Sequence, residues 1–162
     1  MPDPIVSITL MGAPKGKGRP RLSTIGGFAR AYTPKETREF ERVLNAAAIE
    51  AMAGRPYYEG PVSVVIRAFM PIPESWSAKK KAAALAMDLM PVTKPDLDNI
   101  EKMVDALSKY PPRFKGDKEK RPLIWKDDSF IVAKQSIKIY SDRPRLVIDV
   151  WGWDVGAKED QG

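Results

Sequence analysis

The sequence predicts an α/β (α+β) fold in a single domain, a mixed β-sheet with helices packed on it. Three observations carry this expectation. The chain has 162 residues, a length that suits one domain with a core of its own and no need of covalent staples. Short apolar runs with partial alternation read as strands, and between them lie segments with apolar residues three and four apart, which read as helices. No internal repeat or linker divides the pattern, so residues 1–154 are expected to form one domain and residues 155–162 a flexible tail.

Each element can be argued in order. Ile5, Ser7 and Thr9 alternate with Val6, Ile8 and Leu10, the pattern of a strand with one buried face. Residues 12–27 are rich in Gly, Pro, Lys and Arg and read as a loop, and residues 28–32 as a short strand. Thr33-Pro34-Lys35-Glu36 predicts a helix start, with Thr33 as cap, Pro34 in the first helical position and Glu36 closing a capping box. That helix is expected to reach about residue 53 and to bury Phe40, Val43, Leu44, Ala47 and Ala48.

Residues 62–70 read as the next strand, stopped by Pro71-Ile72-Pro73, after which Ser77 caps a helix through residues 79–87. Residues 91–95 break the chain again. A further helix starts with Asp98 at or near its cap and turns Ile100, Met103, Val104 and Leu107 to the core. Residues 108–122 are polar, basic and proline-rich and read as a flexible loop. Strands are expected at residues 123–125, 131–140 and 146–151.

Composition narrows the chemistry. The chain contains no Cys and no His, which excludes disulfides, thiolate or imidazole metal sites, cysteine nucleophiles and the serine–histidine arrangement. Acid–base work near neutral pH is left to carboxylates, lysine, tyrosine or metal-bound water. A net charge of +6 points to a polyanionic partner, although a basic but otherwise ordinary soluble protein reads the same way. No segment resembles a targeting signal or a membrane span, and a cytoplasmic protein fits.

The most informative segment is Lys94-Pro95-Asp96-Leu97-Asp98-Asn99. Pro95 favours an extended approach, in which Asp96 and Asp98, two apart, point the same way. Lys102 follows Asp98 by one helical turn on the same face. Two carboxylates and an ammonium on one edge suit a hard divalent cation and phosphodiester hydrolysis. The same residues also read as a cap, a turn residue and a helix-surface ion pair.

Asp127-Asp128 lies between apolar strand segments and reads either as a turn or as the remaining part of a metal site. Lys15, Lys17, Arg19 and Arg21 form a K-G-K-G-R-P-R loop whose glycines permit close backbone approach and whose cations match phosphates. A solvated basic loop is the alternative, and no P-loop pattern is present. Lys79-Lys80-Lys81 reads either as a solvated face or as a DNA-backbone contact.

Three motifs, taken in order, resemble the RusA family of Holliday junction resolvases, especially its phage-encoded members. K-G-R-P-R (Lys17 to Arg21) followed by A-Y-T-P-K-E-T (Ala31 to Thr37) is similar to the family's basic loop and first helix start. K-P-D-L-D-N-I-E-K (Lys94 to Lys102) is similar to its central active-site motif, and W-K-D-D-S (Trp125 to Ser129) to its second acidic motif. The similarity spans roughly residues 5–150.

The resemblance implies a homodimeric, Mg²⁺-dependent endonuclease, with Mn²⁺ as a substitute, that resolves four-way DNA junctions by paired symmetric nicks in a bacterial host's cytoplasm. Asp96, Asp98 and Asp128 would be catalytic metal ligands, Lys102 the catalytic lysine, and Lys15, Lys17, Arg19 and Arg21 the DNA contacts. Asp127 ranks below Asp128. Asp105 is a further candidate, since it follows Lys102 by three residues where the family's D-A-L aspartate follows by four. The stretch between Leu107 and Leu123 looks longer than in the family and carries Lys109, Arg113, Lys115, Lys118, Lys120 and Arg121, either as DNA contacts or as a disordered insertion. The rival expectation is a non-catalytic protein that binds branched DNA in phage recombination, replication or packaging.

Overall fold

The computed structural model describes residues 3–18, 21–27 and 29–153. The strands are β1 (Val6–Met11), β2 (Arg21–Ser23), β3 (Arg30–Tyr32), β4 (Val62–Pro71), β5 (Ile131–Ser141) and β6 (Arg145–Gly152). The α-helices are α1 (Lys35–Met52), α2 (Ala78–Leu85) and α3 (Leu97–Glu101), the last continued by a 3₁₀ segment, Lys102–Leu107.

Four strands form one sheet in the order β1-β6-β4-β5. β6 runs antiparallel to both β1 and β4, whereas β4 and β5 run parallel. A parallel pair needs a crossover, and α2, α3 and the 3₁₀ segment supply it between β4 and β5. The mixed sheet with helices packed on it is therefore as the sequence predicts. β2 and β3 pair separately as an antiparallel ribbon.

Alternation decides which face is buried. Val62, Val64, Ile66, Ala68 and Met70 of β4 point into the core beside Val6 and Ile8 of β1 and Leu146, Ile148 and Val150 of β6. Leu44, Ala48 and Met52 of α1 and the group Ile100, Met103, Val104 and Leu107 close over them. Each large aliphatic side chain buried this way contributes roughly 1.5–3 kcal/mol. The last group holds the sequence around Asp98 and Lys102 against the sheet. No helix among the described residues is long and apolar enough to cross a membrane.

Several local expectations are corrected. β2 and a 3₁₀ turn, Ile25–Gly27, lie inside the stretch read as a loop. Pro34, not Thr33, occupies the cap position of α1, and no side chain caps it, so no capping box forms. Val43 is exposed, because the buried stripe of α1 runs instead through Thr37, Leu44, Ala48 and Met52. Ser77 does cap α2 by accepting from the Lys80 N–H at 3.2 Å, but the helix stops at Leu85, just before Met87 turns left-handed (φ 65°).

Asp96 occupies the cap position of α3 without a side-chain cap bond, and Asp98 lies in the first turn. Leu123, Ile124 and Trp125 form no strand. All three are fully buried, and the segment touches the rest through an isolated bridge between Tyr58 and Trp125. Residues 108–122 are tied by internal bonds, including Tyr110 N–H to Arg121 O at 2.9 Å and Leu123 N–H to Ser108 O at 2.9 Å. Arg19 and residues 154–162 lie outside the described residues, as does the side chain of Arg21.

Candidate active site

The segment before α3 is fixed from the sheet. Lys138 of β5 donates from Nζ to the carbonyls of Thr93 and Pro95, each at 2.9 Å. The helix itself is pinned by Ile100 in the core and by Glu101, whose Oε1 accepts from Ser136 Oγ of β5. Asp96 enters α3 in an extended conformation (φ −66°, ψ 145°).

Each outward carboxylate then meets a different lysine. Asp98 pairs with Lys102 one turn on, at 3.2 Å. Asp96 accepts from Lys94 Nζ at 2.8 and 2.9 Å. The Asp98 and Lys102 side chains are 75% and 54% exposed, so the pair contributes little to stability and its carboxylate is readily released to another cation.

The basic loop crosses this motif. Lys17 N–H donates to Asn99 O at 2.8 Å. At Gly16 a Cβ would stand 2.9 Å from the Cβ atoms of both Asn99 and Pro95, so only glycine permits the approach. Gly18 N–H donates to Thr37 Oγ1 of α1 at 3.0 Å. Lys15 remains exposed, but Lys17 turns inward, its Nζ 3.4 Å from Glu41 Oε1 and 3.5 Å from Asp105 Oδ2.

The second acidic motif sits on a 3₁₀ turn, Asp128–Phe130, at the start of β5. Its two acids have different tasks. Asp127 caps the turn by accepting from Ser129 N–H at 3.2 Å. Asp128 accepts from the buried indole N–H of Trp125 at 3.0 Å and, with Asp105 and Lys134, lines an open depression of about 350 Å³. Asp105 lies in the 3₁₀ segment Lys102–Leu107, in which positions three apart share a face. The three-residue spacing from Lys102 is thus compatible with one common face.

The donor set consists of carboxylate oxygens, the chemistry that a hard divalent cation requires. Among the described residues, however, no three acidic side chains are gathered into a group that could hold a metal ion. The structure brings together Asp98 with Lys102, Asp105 with Lys17, and Asp105 with Asp128 on one depression. Asp96 is turned to Lys94.

The sequence does not point to Lys138 or Glu41 as parts of this neighbourhood, nor to the contacts that Trp125 and Gly16 make from within the motifs that contain them. Lys138 alternates along β5 like any strand lysine, and Trp125 reads as core. Gly16 carries the one available signal, a glycine between two lysines in a loop that must approach backbone closely.

Comparison with known proteins bears on this arrangement. Residues 11–151 match the family model described as Endodeoxyribonuclease RusA. The chain is also 35% identical over 148 residues to the uncharacterized protein YqaN of Bacillus subtilis (strain 168), a match that covers 88% of this chain and 93% of that protein.

Proposed function

Since the chain belongs to the RusA endodeoxyribonuclease family, we propose that it cuts branched DNA, four-way junctions above all, by metal-assisted hydrolysis of phosphodiester bonds. The observation that carries the reading is the ion pair of Asp98 and Lys102, at the mouth of a motif held from three sides: by the core, by Lys138 and by the loop at Gly16. Asp96, Asp98 and Asp128 would hold Mg²⁺, or Mn²⁺ in its place, with Asp96 drawn away from Lys94 to join them, since the described residues do not gather three acids beforehand. The ion would supply charge stabilisation at the phosphate and an activated water. Lys102 would be released from Asp98 to face the developing negative charge.

A four-way junction has approximate two-fold symmetry, and one such domain offers one cut. Two copies related by a two-fold axis would supply two and match the substrate. Residues 1–154 would act as this single nuclease unit, in the cytoplasm where host DNA lies. The net charge of +6 supports binding to a polyanion.

The test compares four-way, three-way, flap and linear duplex DNA, each with and without Mg²⁺. Cutting of the four-way junction only with the ion present is the expected result. Junction binding without cutting under any divalent ion would leave the non-catalytic accessory role. For the paired cuts, a supercoiled cruciform plasmid should give linear product with little free nicked circle, from a protein whose solution mass is that of a dimer.

A further inference from the structure

A second depression, of about 300 Å³, lies beside the first. It is lined by Arg38, Glu41, Arg42 and Asn45 of α1 and by Asp105 and Lys109 among others. Asp105 also lines the depression that holds Asp128, so the two meet at that residue. The α1 members recur at helical spacing, i, i+3, i+4 and i+7, and thus share one face.

The charges in this second depression are unevenly committed. Lys17 stands against both of its acids, Glu41 and Asp105. Among the described residues neither Arg38 nor Lys109 has an ion-pair partner, and Arg42 meets only Glu39 at 3.1 Å, with side chains 70% and 58% exposed. Such a surface pair exchanges readily for a phosphate. The backbone beneath is built: Asn45 spends both amide hydrogens on the carbonyls of Ala106 and Lys109, each at 2.8 Å. The helix face and Lys109 are thus fixed relative to one another before any ligand arrives, which lowers the cost of ordering them on binding.

From these features we infer that the DNA strand leaving the cutting site runs along this groove, held through its phosphates by Arg38, Arg42 and Lys109. The inference rests on the nuclease reading and adds to it the direction in which one arm departs. The cations stand where a polyanion would continue from Asp128 past Asp105. Lys17 has a different place, as the internal cation that keeps Glu41 and Asp105 from repelling that strand.

The experiment measures affinity for a four-way junction against salt concentration, without divalent ion, for the full chain and for the Arg38→Ala/Arg42→Ala/Lys109→Ala variant. Melting curves should match closely, since Arg38 and Arg42 are exposed and Lys109 is half-exposed with no ion pair among the described residues. The log–log slope should become shallower by about 0.9 for each phosphate that the variant no longer neutralises, with affinity at moderate salt falling ~10-fold or more. Glu39→Gln, which frees Arg42, should tighten binding slightly. An unchanged slope in the triple variant, beside a wild-type chain that binds and cuts, overturns the groove alone. A wild-type chain that neither binds nor cuts junctions overturns the nuclease reading and the groove with it.

Discussion

The fully buried indole of Trp125 donates its N–H to Oδ1 of Asp128 at 3.0 Å, so the core of the domain reaches out to orient one surface carboxylate. Trp125→Phe keeps an aromatic ring in the core and removes the donor. The fold should weaken by about 1–3 kcal/mol, from a smaller ring and the absence of a bond to a charged group. If Asp128 takes part in cutting, the turnover rate should fall several-fold while junction affinity stays level. Turnover equal to wild type would make the bond a purely structural tie. Turnover and binding are compared on one junction substrate.

Asp98→Asn replaces a hard ligand by a weak one and leaves the helix intact. Cleavage should drop at least ~100-fold, the scale of losing one group that stabilises transition-state charge. Binding should hold or tighten, since one negative charge is removed next to DNA. Lys102→Ala should also depress cutting by about 100-fold, with arginine restoring only part because its planar fork differs in geometry. Single-turnover assays separate cutting from binding, and near-normal rates in either variant would leave only the helix-surface pair.

Lys17 is the cation of a half-buried pair with Glu41, beside the exposed Asp105, and its loss is a stability question. Glu41 Oε1 is buried and accepts no hydrogen bond among the described residues, with Lys17 Nζ at 3.4 Å as its balancing charge. Lys17→Met should destabilise the fold by roughly 1–3 kcal/mol, the cost of an uncompensated buried polar group. Glu41→Gln should be far milder. Added to Lys17→Met, it should restore part of the stability, a coupling that a double-mutant cycle of denaturant midpoints measures. Additive effects would mean the two groups act independently.

The pattern of what could be read in the sequence follows from range. β4 and its alternation, the Ser77 cap and the inward face of Ile100, Met103, Val104 and Leu107 are local, because spacing alone sets them. The Asp98–Lys102 pair is likewise local, one helical turn. Lys17 against Glu41, Trp125 against Asp128 across a buried non-strand segment, and Lys138 against Pro95 depend on how distant segments pack. That Lys17 of the basic loop stands beside Glu41 and Asp105 is set by how α1 and the 3₁₀ segment pack, and its own spacing carries no sign of it. Leu123, Ile124 and Trp125 read as a strand because an apolar run of three does not reveal whether it pairs or plugs.

The loop at residues 109–122 has a pH prediction of its own. Asp117 Oδ2 accepts from Arg113 N–H at 3.0 Å and from its Nε at 3.1 Å, and Oδ1 accepts from Glu119 N–H at 3.0 Å. These bonds, the Arg113 backbone N–H first, hold its carboxyl below the ordinary 3.8. A depressed folded value means the loop's order is fully present above 3.8 and is lost as pH falls from there through the folded value. Limited cleavage beside Lys115 or Lys118 by an acid-tolerant protease should rise over that interval. Asp117→Asn should show the raised rate already at neutral pH, and a variant as resistant as wild type would assign the loop's order to other bonds.

Lys138 offers the sharpest separation of positioning from binding. Its ammonium reaches two carbonyls, of Thr93 and Pro95, that flank the approach to Asp96 and Asp98. Lys138→Met keeps most of the stem's length and apolar contact but removes both donors. Charged hydrogen bonds of this kind contribute about 1.5–3 kcal/mol, less here because one of the two is exposed. The melting temperature should therefore fall modestly, while the carboxylates lose their fixed approach. Cutting should slow about tenfold or more, as misplacement of a reacting group does, with the substrate concentration at half-maximal rate little changed. A lysine that instead touched DNA would give the opposite split: weaker binding, and a salt slope shallower by about 0.9. Kinetics of junction cleavage together with salt-dependent binding distinguish the two. Lys138→Arg should recover more cutting than Lys138→Met if donors to the carbonyls are what matters. A variant that cuts at the wild-type rate would remove Lys138 from the machinery that sets the motif.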